Sequence, residues 1–262
     1  MKLNLKGKTA LITGGANGIG EEISLKLAEE GVNILVTTRD KKNIIKIKKK
    51  LSKSKVKVDG VVLDFLKKNW LSKFKKFIRG KKIEILVNNA GHNLNITNPY
   101  CNKKDWERIL DMNFFNSVQI NNILIPMMKK RNWGRIVNIT SCAGLENMGP
   151  VTYGVSKAAL TAYTRTMGRI LATESKNVVM TAVFPGVVVT KGGHWDKVLK
   201  KDPQRAKNYI KERAPLGRFG KPNEIAPVVA FYCSELASFS HGAIIPVDAG
   251  QSRHYMYFNY LN

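Results

Sequence analysis

Residues 8–20 read Lys8-Thr9-Ala10-Leu11-Ile12-Thr13-Gly14-Gly15-Ala16-Asn17-Gly18-Ile19-Gly20. The run from Lys8 to Thr13 has the length and apolar content of a buried strand. From Ile19 to Glu30 the spacing is helical, with Ile23, Leu27 and the small Ala28 placed to face a sheet. Between them Gly14, Gly18 and Gly20 supply a turn with the backbone freedom that glycine allows. Strand, glycine turn and helix in that order set the first N–H groups of the helix where a dinucleotide pyrophosphate binds. An ordinary strand-to-helix turn uses the same residues, so this stretch fixes the local fold and leaves its use open.

The alternation continues along the chain. Apolar, β-branched runs predict strands at Thr9–Thr13, Asn33–Thr37, Val58–Leu63, Ile83–Val87, Arg135–Ile139, Val179–Phe184 and Ala243–Val247. Helical patterns begin near Gly18, Lys41, Trp70, Lys104, Thr152 and Pro222. Strands alternating with helices argue for a parallel sheet covered on both faces. No repeat and no dividing linker interrupts the 262 residues, so residues 1–262 are expected to form one domain. The exception to regularity is a polar insertion at about 187–220, which ends in Ala214-Pro215-Leu216-Gly217-Arg218-Phe219-Gly220.

Composition narrows the classes. At 44% hydrophobic residues the chain can bury a sizeable sheet, yet its apolar runs are interrupted and predict no membrane span. Cys101, Cys142 and Cys233 form no C-x-x-C pair, which predicts a reducing cytoplasm and no metal site. The formal charge of +25 raises the question of nucleic acid. Lysines crowd Lys41 to Lys57 and Lys67 to Lys82 without the interleaved aromatics of a single-strand platform, so they read as solvated helix faces. Such a field still favours anionic ligands, including phosphorylated cofactors, nucleotide-linked sugars and acyl carrier protein.

Tyr153 and Lys157 stand four apart in Tyr153-Gly154-Val155-Ser156-Lys157, twelve residues after Ser141. On a helix they share a face. An ammonium beside a phenol is expected to pull the tyrosine pKa below its usual ~10. That would suit a general acid/base for a carbonyl/alcohol pair.

Taken together, the motifs Thr13-Gly14-x-x-x-Gly18-x-Gly20, Asn88-Asn89-Ala90-Gly91, Asn113, Ser141, Tyr153-x-x-x-Lys157 and Pro185-Gly186 resemble the short-chain dehydrogenase/reductase family, in its order. The resemblance runs from about Leu5 to about Gln251. It implies a doubly wound Rossmann fold with a mainly parallel seven-stranded sheet, and a substrate-binding lobe at about 187–220. It assigns catalysis to Asn113, Ser141, Tyr153 and Lys157, with Thr140 a possible substitute donor for Ser141. For the cofactor it implies Gly14, Asn17, Gly18, Ile19 and Gly20, then Thr38, Arg39, Asp64 and Phe65. Asn89, Ala90 and Gly91 follow, with Tyr153 and Lys157 again, and finally Pro185, Gly186, Val188 and Thr190.

After the second strand the chain reads Thr37-Thr38-Arg39-Asp40. A neutral Thr38 followed by Arg39 favours NADP(H) over NAD(H), because an arginine can hold the 2′-phosphate. Asp40 is the counter-signal, or a cap on the next helix. His92, Glu146, Asn147, His194 and Trp195 are candidates near the substrate mouth. Trp195 is either a stacking surface for a sugar ring or packing that closes the lobe. Leu145–Pro150 and Gly192–Asp196 are similar to members of bacterial surface-sugar pathways, which implies a sugar or nucleotide-sugar carbonyl as substrate. The alternative is 3-oxoacyl-acyl carrier protein reductase; from a different class, a catalytically inactive cofactor-sensing regulator. The family also implies a homodimer or homotetramer, and the aromatic tail Arg253–Asn262 is expected to dock on a neighbouring subunit.

Overall fold

The computed structural model describes residues 1–146 and 148–253. Seven strands form one parallel sheet in the order β3-β2-β1-β4-β5-β6-β7. They are β1 (Thr9–Thr13), β2 (Asn33–Thr38), β3 (Val58–Val62), β4 (Ile85–Asn88), β5 (Gly134–Ile139), β6 (Val178–Pro185) and β7 (Ile244–Val247). The order reverses between β1 and β4, and this switch point opens a crevice at the C-terminal strand ends.

Alternating side chains build two core layers. Ala10, Ile12, Ile34, Val36, Ile85 and Val87 face one side, where α1 (Gly18–Glu29) and α9 (Pro222–Tyr232) contribute Ile23, Leu27, Ile225 and Val229. Leu11, Leu35, Leu86 and Ile136 face the other. There α3 (Trp70–Ile78), α5 (Asn116–Lys130) and α6 (Val151–Glu174) bring Phe74, Leu124 and Leu171. The lysine-rich α2 (Lys41–Lys50) buries Ile47 and leaves Lys41, Lys42, Lys48, Lys49 and Lys50 exposed, a solvated face.

Two regions differ from the sequence expectation. The helix expected from Lys104 begins as α4 (Lys103–Leu110), passes through a π turn at Asp111–Phe115, and continues as α5. The polar insertion holds two helices, α7 (His194–Lys201) and α8 (Pro203–Arg213), around a small core of Val198, Ala206 and Phe219. Asp202 caps α8 by accepting from the Arg205 N–H at 3.1 Å, and Pro203 opens that helix. The tail expected to dock on a neighbour, from His254 onward, lies outside the described residues.

Candidate active site

A cleft of about 530 Å³ opens at the C-terminal strand ends. Gly14, Asn17, Gly18 and Ile19 form its floor where β1 turns into α1. The loop is tied to its neighbours: the Thr13 hydroxyl accepts from the N–H groups of Asn89 and Ala90 at 3.0 and 2.9 Å. Asn17 caps α1 without using its side chain, so the first helical N–H groups face the cleft with their donor capacity free of that cap. A side chain at Gly18 would reach within 3.1 Å of Thr190 across the opening. These features fit a dinucleotide pyrophosphate. Thr38, Arg39, Phe65, Asn89, Ala90 and Gly91 line one part of the cleft, and Pro185, Gly186, Val188 and Thr190 line another. Asp40 turns away and caps α2, accepting from the Lys42 N–H at 2.8 Å, which leaves Arg39 as the cleft-facing charge of that loop.

Ser141, Tyr153 and Lys157 converge on this cleft from the end of β5 and the first turns of α6. Glycine permits the approach. A Cβ at Gly144 would stand 2.8 Å from the Lys157 backbone, and one at Gly154 would stand 2.9 Å from the Ala143 carbonyl. The Ser141 hydroxyl accepts from the Ala143 N–H at 3.1 Å and lies on the same cleft as the Tyr153 phenol. Thr140 is occupied elsewhere, its hydroxyl donating to the Val183 carbonyl at 3.4 Å.

Lys157 is buried, and its Nζ donates to the Ile139 carbonyl at 2.8 Å while standing 5.8 Å from the Tyr153 ring centre. Burial pulls the Lys157 ammonium down to about 8. Burial also pushes the Tyr153 phenol up to about 12, against the opposing pull of the Ser141 hydroxyl. This corrects the expectation of a phenol drawn below its ordinary value. The lysine head is committed to a carbonyl, and desolvation of the phenolate sets the sign. Tyr153 remains half-buried, open to the cleft.

Asn113 is fully buried in the π turn. Its Oδ1 accepts from the His92 N–H at 2.9 Å, and its Nδ2 donates to the carbonyls of His92 and Ile109, both at 3.0 Å. A Cβ at Gly91 would lie 2.8 Å from Asn113 Oδ1 and 2.9 Å from Lys157 Nζ, so the two residues meet across that glycine.

The short chain dehydrogenase family pattern matches residues 8–197. The chain belongs to the short-chain dehydrogenase/reductase family. It is an oxidoreductase of that family, similar along almost its whole length to a 3-oxoacyl-[acyl-carrier-protein] reductase of Aquifex aeolicus. The two are 36% identical over 254 residues, covering 95% of this chain and 99% of the relative. Dehydrogenase/reductase SDR family member 4 of Rattus norvegicus is 33% identical over 254 residues, covering 94% and 88%. Among solved structures, L-sorbose reductase from Gluconobacter frateurii, complexed with NADPH and L-sorbose, superposes with a TM-score of 0.89 at 26% identity. That match covers 98% of this chain and 100% of the other.

Several residues anticipated for this dehydrogenase lie off the cleft wall. Gly20 packs under the loop, where a Cβ would stand 2.4 Å from the Gly14 carbonyl. Asp64 turns its carboxylate back to the Leu66 N–H at 3.1 Å. Glu146 accepts from the Arg253 N–H at 2.8 Å, and Asn147 lies outside the described residues. His194 and Trp195 belong to the lobe: Trp195 stacks on Tyr209 and Phe219 at ring distances of 4.3 and 4.8 Å, and on His194 at 5.3 Å. Trp195 therefore packs the lobe rather than offering a free face. His92 does line the cleft; its Nδ1 accepts from the Leu94 N–H at 2.7 Å, and burial with the nearby Arg39 and Lys197 holds its pKa down. Met112, Ile139, Lys191, Gly192 and Gly193 also line the wall, and sequence reasoning missed them. The two glycines carried a signal, standing as a pair inside a polar insertion.

Proposed function

We propose that this chain is an NADP(H)-dependent oxidoreductase that interconverts a carbonyl and a secondary alcohol on a polar, sugar-type substrate. The meeting of Ser141, Tyr153 and Lys157 beside a dinucleotide-shaped cleft carries the reading. Bound nicotinamide would supply or accept the hydride. Tyr153 would exchange the proton at the substrate oxygen, and Ser141 would donate a hydrogen bond as negative charge grows there. Lys157 would hold positive charge behind them, and Asn113 would fix the backbone of His92. A phenol with its pKa at about 12 keeps its proton near neutrality, so the site holds the proton that carbonyl reduction consumes.

Arg39 on the cleft wall, with Asp40 engaged in capping α2, supports the phosphorylated cofactor. NADP(H) also accompanies several solved structures of similar fold. The sugar reading draws on the likeness to L-sorbose reductase and on the polar or small lining His92, Lys191, Gly192 and Gly193. It no longer draws on Glu146, His194 or Trp195. The 36% likeness to a 3-oxoacyl-[acyl-carrier-protein] reductase favours a second reading, reduction of an acyl thioester. The +25 charge suits an anionic form of either substrate. Exposed Val151, Val155 and Ile170 on α6, with Phe115 beside α5, support self-association. Among the described residues no helix is long and apolar enough to cross a membrane.

The test is NADPH oxidation by the purified chain against keto-sugars, keto-sugar nucleotides and acetoacetyl thioesters. Turnover of sugars alone supports the first reading, and turnover of thioesters alone replaces it with the second. Tyr153→Phe is expected to lower turnover by about a thousandfold while preserving NADPH affinity. Unchanged turnover in that variant would remove Tyr153 from the mechanism, and no turnover by the parent chain on any carbonyl would favour a regulator.

A further inference from the structure

The turn after β7 presents one side chain to two parts of the active-site architecture at once. Asp248 accepts from the N–H groups of Gly250 and Ser252 at 3.1 and 2.8 Å and shapes the turn. Gln251 then reaches back over the end of β6. Its Oε1 accepts from the Val187 N–H at 2.7 Å, and its Nε2 donates to the Tyr209 hydroxyl at 2.9 Å. Position 186 accommodates this only as glycine, since a Cβ there would stand 2.8 Å from Gln251 Oε1.

Both partners matter by location. Val187 lies between Gly186 and Val188, which line the cleft, and it also accepts from the Gly220 N–H at 2.9 Å. Tyr209 lies on α8 inside the aromatic stack with Trp195 and Phe219. Among the described residues, Gln251 to Tyr209 is the one hydrogen bond that joins helices α7 and α8 to the sheet domain. The lobe otherwise rests on a small apolar core, against which Val187 and Val189 of the cleft-lining segment also pack, and on its two connections in sequence.

We propose that Gln251 and Tyr209 form a positioning pair that holds the 194–213 lobe in register with the cleft-lining segment 186–190, and so sets substrate affinity. Both residues are outside the catalytic set and touch the substrate wall through others. Gln251 supplies an acceptor and a donor at fixed separation, so it adds a directional polar link to two segments that otherwise meet through the apolar packing of Val187 and Val189 against the lobe core. Gly192 and Gly193, which lead into α7, line the cleft. The proposal rests on the carbonyl-reductase reading of the cleft.

The first measurement is hydrogen–deuterium exchange on the full, cofactor-free chain, which needs no substrate. Tyr209→Phe keeps the ring stack and removes the hydroxyl. It should raise exchange across 194–213 by about three- to tenfold, the range set by loss of one part-buried hydrogen bond. Exchange across α6 should stay unchanged. Gln251→Ala should match it, and Gln251→Glu should restore protection, since a carboxylate accepts from both Val187 N–H and Tyr209 O–H. In a Tyr209→Phe background Gln251→Glu should restore nothing. In the second measurement, on whichever panel carbonyl is reduced fastest, Tyr209→Phe should raise KM by about three- to tenfold with kcat within about twofold. Unchanged exchange in 194–213, or an equal rise in α6, overturns the clamp. A loosened lobe with unchanged KM overturns its role in substrate affinity. Failure of every panel carbonyl with the parent chain counts against the function reading and leaves the exchange result to decide the clamp.

Discussion

Replacing Lys157 by methionine should abolish turnover and, near neutral pH, stabilise the protein. Lys157 is 2% exposed, and burial holds its ammonium at about 8, against 10.5 for the free side chain. Keeping that charge in the folded chain below pH 8 costs about 3 kcal/mol relative to water. Methionine has a similar shape and carries no charge. It leaves the Ile139 carbonyl without its lysine donor, a loss of about 1 kcal/mol. The variant should therefore gain about 2 kcal/mol at pH 7. Between pH 8 and 10.5 the unfolded chain binds the extra proton, so wild-type stability gains relative to the variant as pH rises. The order should reverse at about pH 9.5, where the recovered stability, about 1.36 kcal/mol per pH unit, has offset the difference. Buried Cys142 and Cys233, held at about 11 and about 12 against 9.0, lower the stability of both proteins above about pH 9 and cancel in the comparison. Urea unfolding followed by tryptophan fluorescence, on cofactor-free protein at matched concentration from pH 7 to 10.5, measures the difference directly. A variant less stable than wild type at pH 7, or a difference that stays flat with pH, would refute the argument.

Arg39→Asp should move preference from NADPH toward NADH by about ten- to a hundredfold, the scale of one or two charge-assisted hydrogen bonds to phosphate. An unchanged ratio of the two dissociation constants would take Arg39 out of the cofactor site. Ala249 holds φ at +54 in the turn after β7, where the left-handed conformation costs a residue with a Cβ about 1–2 kcal/mol. Ala249→Gly should stabilise the chain by about 0.5–1 kcal/mol after the greater freedom of glycine in the unfolded chain is discounted. A lower urea midpoint for that variant would show that the turn carries no such strain.

Much of the fold is legible because a parallel sheet buried on both faces writes itself as short apolar runs. The bounds of β1 agree residue for residue, and most other strands differ by one or two positions. Polar residues lie buried inside these strands, Asn88 and Arg135 among them. Asn88 belongs to β4 although the apolar run ends at Val87; its Nδ2 donates to the side-chain carbonyls of Asn121 and Asn138 at 3.1 and 2.8 Å inside the core, while its Oδ1 is buried without a protein partner. Arg135 is fully buried in β5, its guanidinium satisfied by the carbonyls of Gly134, Asn177 and Ser234. A reader of sequence would place either residue at a surface. The lobe helices escaped notice because they are short and rich in lysine and arginine, and α7 and α8 bury little beyond Val198 and Ala206. The part of the cleft lined by Gly14, Gly18 and the end of β4 was legible from glycines and strand ends. The substrate wall was not, because it depends on how the lobe folds back.

The Tyr153–Lys157 pair shows where a spacing rule stops. Four residues on a helix bring two side chains to one face, and both do reach the cleft. The same rule says nothing about what else each head group meets. Lys157 Nζ spends a hydrogen bond on Ile139, while the phenol faces Ser141 in a setting where desolvation outweighs that contact. The pair therefore stands with a protonated phenol and a lysine that titrates near pH 8. In that state the site is set to give a proton to a carbonyl oxygen. Taking one from an alcohol requires the phenolate, whose charge burial opposes.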